Sequence, residues 1–222
     1  MPGTWVVIPV YNEERVVGDV VKTVRATGYE QVLVVDDGSA DGSAAAAENA
    51  GALALRLAVN RGKGAAVKTG IEAAKLLDAD IVVTMDGDGQ HNPADIGPML
   101  ERIRGGVDVV LGTRPFDQKK MPAYKVAANQ LGNLATWLTY GLLVHDSQSG
   151  FRAYGRRALE LIETRSDRYE YDSEVIREIK RAAWHRRRYR SRFATPACSM
   201  GKQTKQNFSR GLKTLVRMIM SN

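Results

Sequence analysis

Short apolar runs alternate with longer amphipathic stretches through the first half of the chain. Residues 5–10, 32–35 and 81–85 are runs of strand length, rich in Val and Ile, that end in polar or glycine-rich residues. A fourth run, 107–112, follows the same pattern. Continuous runs of this kind read as parallel strands covered on both faces. Between them, residues 14–27, 40–50, 64–77 and 93–104 carry helical patterning. The alternation predicts an α/β fold, a mostly parallel twisted sheet with helices on both faces and its ligand at the carboxyl ends of the strands.

The second half reads as helices and loops, with helical segments over 125–141, 156–164 and 173–183. Residues 126–144 contain no formal charge, which is long enough to raise the question of a membrane span. Asn129, Gln130, Asn133, Thr136 and Thr139 argue against one, leaving a buried or membrane-facing amphipathic helix. From residue 202 on, Phe208, Leu212, Leu215, Val216 and Ile219 recur at helical spacing, with Lys205, Arg210, Lys213 and Arg217 on other faces. This is a basic amphipathic helix, suited to packing on the domain or to docking on anionic lipid. No repeat or linker interrupts the chain earlier, so residues 1–200 form one expected domain and 201–222 the helix.

Composition refines that picture. The 222 residues carry a net charge of +7, but residues 1–111 hold 10 Lys and Arg against 16 Asp and Glu, whereas 112–222 hold 22 against 9. An acidic half suits a cation, and a basic half suits phosphates, anionic lipid or nucleic acid. The single Cys198 excludes an internal disulfide and a cysteine metal cluster. The N-terminus runs straight into a strand pattern with no cleavable apolar stretch, which predicts a cytoplasmic or peripheral protein.

Each of the first three strands ends in a polar cluster. Pro9, Tyr11, Asn12 and Glu13 follow the first, Asp36, Asp37, Gly38 and Ser39 the second, and Asp86, Gly87, Asp88, Gly89 and Gln90 the third. Any one of them could be an ordinary turn. Three acidic clusters at consecutive strand ends would crowd like charges into one crevice, and a divalent cation relieves that repulsion. Alternate residues of an extended segment point the same way, so Asp86, Asp88 and Gln90 can aim oxygens at one Mg²⁺ or Mn²⁺. His91 is read as a neighbour of that cluster or a surface residue rather than a ligand. The turn Asn60-Arg61-Gly62-Lys63-Gly64 opens a helix and offers two cations to a diphosphate. It lacks P-loop spacing, and no Gly-x-Gly-x-x-Gly follows the first strand.

IPVYNEE, VVDDGSADGS, NRGKGAA, MDGDGQHNP, GTR and DSQSGFRAY, in this order, resemble the family 2 glycosyltransferases of the GT-A (Rossmann-like) fold, and within them the dolichyl- and polyprenyl-phosphate sugar synthases of the dolichyl-phosphate mannose synthase branch. The resemblance implies an inverting, metal-dependent transfer from a nucleotide-sugar donor, GDP-mannose or a UDP-sugar, to a lipid phosphate. It implies that Pro9, Tyr11, Glu13 and Asp37 hold base and ribose, that Asp86, Asp88 and Gln90 hold the metal and donor diphosphate, and that Lys63 lies nearby. Lys202 or Lys205 would close over the donor phosphates. Arg114 looks like the cation for the acceptor phosphate, with Lys125 and Asn129 as helpers. Asp146, Ser149, Gly150 and Phe151 match the loop that shapes the acceptor side.

A lipid monophosphate with a second pKa of roughly 6 is already largely dianionic at neutral pH and needs no strong base. Asp146 would then orient the acceptor; with a sugar hydroxyl as acceptor, it would be the candidate general base. Asp88, Asp146 and Arg114 are the expected catalytic residues.

The resemblance breaks over residues 182–198, where five arginines fall between Arg186 and Arg192 and relatives carry an apolar β-segment. So much charge argues against a buried strand. A solvated basic insertion, a nucleic-acid or lipid patch, and a local frame disturbance in the gene each fit. A nucleic-acid-binding reading leaves the acidic strand ends without a role, so no nucleic acid partner is expected. A sugar nucleotidyltransferase would need a glycine-rich activation loop that is missing. A family 2 enzyme acting on a soluble acceptor is the remaining rival.

Overall fold

Alternation along the strands decides which face each residue serves. In β1, Thr4–Val10, the residues Val6, Ile8 and Val10 pack into one apolar cluster and Val7 into another. β2, Val32–Asp36, divides the same way, with Val32 and Val34 in the first cluster and Leu33 and Val35 in the second. Successive side chains of a strand point to opposite faces, so the two clusters are the two layers of a sheet covered on both sides. The structure is a computed structural model that describes residues 3–113, 149–164, 166–167, 170–181 and 186–190.

After β1 come α1 (Glu14–Ala26), β2, α2 (Ser43–Asn49), β3 (Leu53–Arg56), α3 (Lys63–Leu76), β4 (Ile81–Thr84), a 3₁₀ turn (Pro93–Asp95) and α4 (Ile96–Arg104). Then follow β5 (Val109–Thr113), β6 (Arg152–Gly155), α5 (Arg156–Leu161), α6 (Glu170–Arg181) and β7 (Arg186–Arg190). Helices α1, α2 and α4 contribute to the first layer, and α3, α5 and α6 to the second. Helix α1 shows why: Val17, Val20, Val21 and Val24 repeat every three or four residues and are all buried. Burying each such side chain stabilises the fold by roughly 1.5–3 kcal/mol. Helix α3 approaches the sheet through Gly70, where a Cβ would lie 2.3 Å from Val7 Cγ1.

The strand order is β3-β2-β1-β4-β6-β5-β7. Every neighbouring pair is parallel except the two that involve β6. The chain winds outward from β1 through β2 to β3 and then returns to the other flank of β1 with β4. That reversal beside β1 is a topological switch point, where open α/β sheets bind ligands in the crevice outside the carboxyl ends of their strands.

The expected α/β sheet with helices on both faces is present, with three strands that the apolar pattern did not announce. β3 is four residues long and carries no Val or Ile, and Leu53 is exposed. β6 contains Arg152, whose burial is made tolerable by partners described below. β7 lies in the arginine-rich window: Arg186–Arg190 pairs in parallel with β5, from Val109↔Arg186 to Thr113↔Arg190. Among the described residues it ends the sheet. α2 starts at Ser43 rather than residue 40, because Asp41 Oδ1 accepts the Ser43 N–H at 3.1 Å and holds a loop there. The expected helices over 125–141 and 201–222 lie outside the described residues. Among the described residues no helix is long and apolar enough to cross a membrane.

Candidate active site

The ends of β1 and β2 are joined by bonds between side chains and backbone. Asn12 N–H donates to Ser39 Oγ at 2.9 Å, Glu13 N–H to Ser43 Oγ at 2.8 Å, and Ala40 N–H to Asn12 Oδ1 at 2.9 Å. Asn12 sits at φ 55°, a left-handed conformation that Asn tolerates better than most residues. Asp37 is 3% exposed, and its two carboxylate oxygens accept the N–H groups of Arg61 and Gly62, each at 2.8 Å. Asp37 therefore fastens the turn that opens α3 to the end of β2. Gly38, at φ 70°, lies under that turn, and a Cβ there would be 2.7 Å from the Val59 carbonyl carbon. Asp36, fully buried, accepts the Ser39 N–H at 2.8 Å and faces Arg56 Nε at 3.6 Å.

Beyond β4 the bonding changes character. Lys63 Nζ, at the first turn of α3, lies 2.8 Å from Asp86 Oδ1 and 3.6 Å from Asp172 Oδ2. Arg152 Nη2 lies 3.1 Å from Asp172 Oδ1, and Arg152 Nε donates to the Ser149 carbonyl at 3.1 Å. His91, buried with its ring 5.0 Å from that of Phe151, brings Nε2 to 3.1 Å from Asp86 Oδ2. Thr84 Oγ1 donates to the Gly150 carbonyl at 2.7 Å. Gly150 allows the close approach: its Cβ would lie 2.3 Å from Asp86 Oδ1 and 2.6 Å from Lys63 Nζ. The result is a chain of polar contacts, His91, Asp86, Lys63, Asp172 and Arg152, that ties four elements of the fold to one point.

The electrostatics separate the two acidic residues of the β4 loop. Burial alone would raise the Asp86 carboxyl, but the Lys63 ammonium and the His91 contact outweigh it and hold Asp86 well below the usual carboxylate range. Burial and the Asp86 charge push the Asp88 carboxyl up, although Asp88 Oδ1 accepts the Gln90 N–H at 3.0 Å. For Lys63, burial would lower the ammonium, and the Asp172 and Asp86 charges more than reverse it. Among the described residues no group of three or more His, Cys, Asp or Glu gathers as a ready metal cluster. The two carboxylates and the Gln90 amide are nonetheless the hard oxygen donors that Mg²⁺ or Mn²⁺ takes, with positions left for other oxygens. The repulsion that raises Asp88 is what such an ion relieves.

Of the residues singled out in the sequence, Lys63 and Asp86 meet directly, and Asp88 and Gln90 share the same turn. Tyr11 is 42% exposed, and Pro9 and Glu13 are half-buried. Ser149 is 3% exposed, with its Oγ 3.4 Å from the Phe151 amide nitrogen, so it supports its own loop in this structure. Arg114, Lys125, Asn129, Asp146 and Lys202 lie outside the described residues. Sequence reasoning missed Arg152, Asp172 and Asp167. Arg152 left a trace, a lone charge in the short segment Phe151–Tyr154 that becomes a strand. Asp172 and Asp167 left none, because only the fold brings them to α3. Asp167 Oδ2 lies 2.9 Å from Arg61 Nη2, its other oxygen meets Lys68 Nζ, and its carbonyl accepts the Ala65 N–H at 2.9 Å.

The family described as Glycosyl transferase family 2 matches residues 5–162. An uncharacterized protein of Methanocaldococcus jannaschii is 36% identical over 222 residues, covering 97% of this chain and 90% of its own. The UDP-N-acetylglucosamine–dolichyl-phosphate N-acetylglucosaminyltransferase of Methanococcus voltae is 34% identical, with 78% of each chain covered. Among solved structures, glucosyl-3-phosphoglycerate synthase of Mycobacterium tuberculosis, in complex with Mn²⁺, UDP-glucose and phosphoglyceric acid, superposes with a TM-score of 0.71 at 18% identity. It covers 98% of this chain and 78% of its own, a likeness of fold.

Proposed function

The chain belongs to glycosyl transferase family 2 and is a glycosyltransferase; on that premise we propose that it moves a sugar from GDP-mannose or a UDP-sugar to a dolichyl or polyprenyl phosphate, inverting the anomeric centre. The convergence of three polar strand ends and Lys63 on one crevice carries this reading, because a nucleoside diphosphate needs a polar cradle and countercharges in one place. The relative from Methanococcus voltae, named for transfer to dolichyl phosphate, supports the acceptor class.

In this reading Pro9, Tyr11 and Glu13 hold the nucleoside beside Asp37, whose carboxylate fastens the neighbouring turn at Arg61 and Gly62, and Lys63 and Lys202 meet the diphosphate. Asp86, Asp88 and Gln90 hold Mg²⁺ or Mn²⁺, which when bound supplies positive charge for the departing nucleoside diphosphate. The metal-bound complex of the Mycobacterium tuberculosis enzyme of this fold supports a divalent ion here. Arg114, Lys125 and Asn129 bind the acceptor phosphate beside Ser149, and Asp146 orients it. An acceptor phosphate oxygen forms the new bond to the anomeric carbon as the bond from that carbon to the donor's diphosphate oxygen breaks, and alignment and charge stabilisation are the protein's main contributions. Residues 1–200 form the catalytic domain, and the basic segment 201–222 rests on the cytoplasmic face of the membrane.

Radiolabelled UDP- and GDP-sugars incubated with polyprenyl phosphate in vesicles, with Mn²⁺ or Mg²⁺ and again with EDTA, test the proposal. Metal-dependent labelling of the lipid is expected. Labelled free sugar with no lipid product would remove the lipid acceptor, and equal labelling in EDTA would remove the metal.

A further inference from the structure

Asp86 has a cation before any metal arrives, and that cation has somewhere else to go. Lys63 Nζ lies 2.8 Å from Asp86 Oδ1 and 3.6 Å from Asp172 Oδ2, so it stands between two carboxylates. Its side chain is 24% exposed, and that of Asp172 is 5% exposed. Arg152, 3% exposed, fixes Asp172 from the far side through its Nη2, 3.1 Å from both Asp172 Oδ1 and the Asp172 carbonyl oxygen. Arg152 thus holds Asp172 from that side, whereas Lys63 has a long flexible stem, and Gly150 lets Lys63 and Asp86 meet where a Cβ would lie 2.3 Å from Asp86 Oδ1 and 2.6 Å from Lys63 Nζ.

We propose that Lys63 is an exchangeable placeholder, neutralising Asp86 in the metal-free enzyme and withdrawing onto Asp172 when a divalent cation takes Asp86, with Asp172 as the positioning residue for that exchange. This rests on the reading of Asp86 and Asp88 as the metal-holding pair. The exchange answers a physical need. A half-buried Asp86 with neither lysine nor metal would repel Asp88 and carry an uncompensated charge. A lysine unable to leave would exclude the metal. With Asp172 as second seat, the crevice keeps a balanced charge in both states, and the displaced ammonium stays beside the site where the donor diphosphate is expected.

Competition of this kind weakens metal binding in proportion to how rarely Asp86 is open. If Lys63 occupies Asp86 about nine-tenths of the time, removing it tightens metal binding about tenfold. Removing Asp172 acts the other way, since Lys63 then has no alternative partner.

The test is Mn²⁺ binding to the full chain without donor or acceptor, followed by the electron paramagnetic resonance of free Mn²⁺ at pH 7. The variants are Lys63→Met, Asp172→Asn and the double variant, with circular dichroism confirming that each is folded. Lys63→Met is expected to bind Mn²⁺ about tenfold tighter and Asp172→Asn about threefold weaker. In the double variant the Asp172 substitution should have no further effect, because its influence runs through Lys63. A loss on Asp172→Asn that is equal in both backgrounds would show a simple charge effect and overturn the exchange, as would a Lys63→Met that binds no tighter. If Asp172→Asn fails to fold, the Lys63→Met comparison decides alone. No Mn²⁺ binding by the unaltered chain at millimolar concentration would overturn the metal reading together with the exchange, whereas normal binding unaffected by Lys63→Met overturns the exchange only.

Discussion

The two walls of the crevice do similar work with different bonds. At the ends of β1 and β2, polar side chains are spent on backbone groups: Asp37 on Arg61 and Gly62, Ser39 on Asn12, Ser43 on Glu13. At the end of β4, the His91 ring meets Asp86, and charges face charges from Asp86 through Lys63 and Asp172 to Arg152. Bonds to fixed backbone N–H groups hold a shape and have few alternatives. An ammonium between two carboxylates can change partners. The first wall is therefore a cradle whose loss costs stability, and the second is a charge system whose loss costs chemistry.

The sharpest test of that division is Asp88→Asn. Asp88 has one bond to its own loop, from the Gln90 N–H, and its raised carboxyl reflects burial and the Asp86 charge. The substitution should lower sugar transfer by at least about a hundredfold, the scale seen when one stabilising group is removed from a developing charge. The melting temperature should stay level or rise slightly, because a like-charge repulsion is relieved. A destabilised Asp88→Asn protein would break the comparison.

Asp37→Asn attacks the other wall. An amide has one oxygen where the carboxylate has two, so one of the Arg61 and Gly62 N–H groups loses its acceptor. The expected loss is roughly 1.5–3 kcal/mol of unfolding free energy by urea titration, the range for a hydrogen bond to a charged group. Mn²⁺ affinity should be unchanged.

A smaller effect sharpens the boundary between the walls. Asp167 bonds with Lys68 and Arg61, and these contacts hold its carboxyl below the usual range despite some burial. A depressed carboxylate contributes stability that is fully present above the unfolded value of about 3.9 and is lost as pH falls through the lower folded value. Asp167→Asn should therefore lower the melting temperature at pH 7 by the equivalent of about 1 kcal/mol or less, and the gap from the unaltered chain should close in acid below pH 4. A gap that widened in acid would reverse the sign and the assignment.

Much of this molecule was legible along the chain, and what escaped has a common cause. The strands β1, β2, β4 and β5 were readable because burial on both faces demands unbroken Val and Ile runs, and α1 because its valines recur at helical spacing. β3 escaped because a half-exposed edge strand needs no such run. β7 escaped for a sharper reason: the arginines argued against a buried strand, yet five residues reading Arg-Arg-Arg-Tyr-Arg pair along β5, since backbone N–H and C=O groups make the ladder whatever the side chains carry.

By itself, the sequence determined the α/β alternation and the three polar strand ends, because these depend on residue type and local spacing, and its ordered motifs carried the resemblance to the family. Tertiary structure alone decided that the Asp37 carboxylate is committed to a turn 24 and 25 residues away, and that Lys63 stands between Asp86 and Asp172. Electrostatic partnership depends on distance through space, and pattern along a chain does not encode the distance between residues 63 and 172 until the sheet has brought α3 and α6 to the same face.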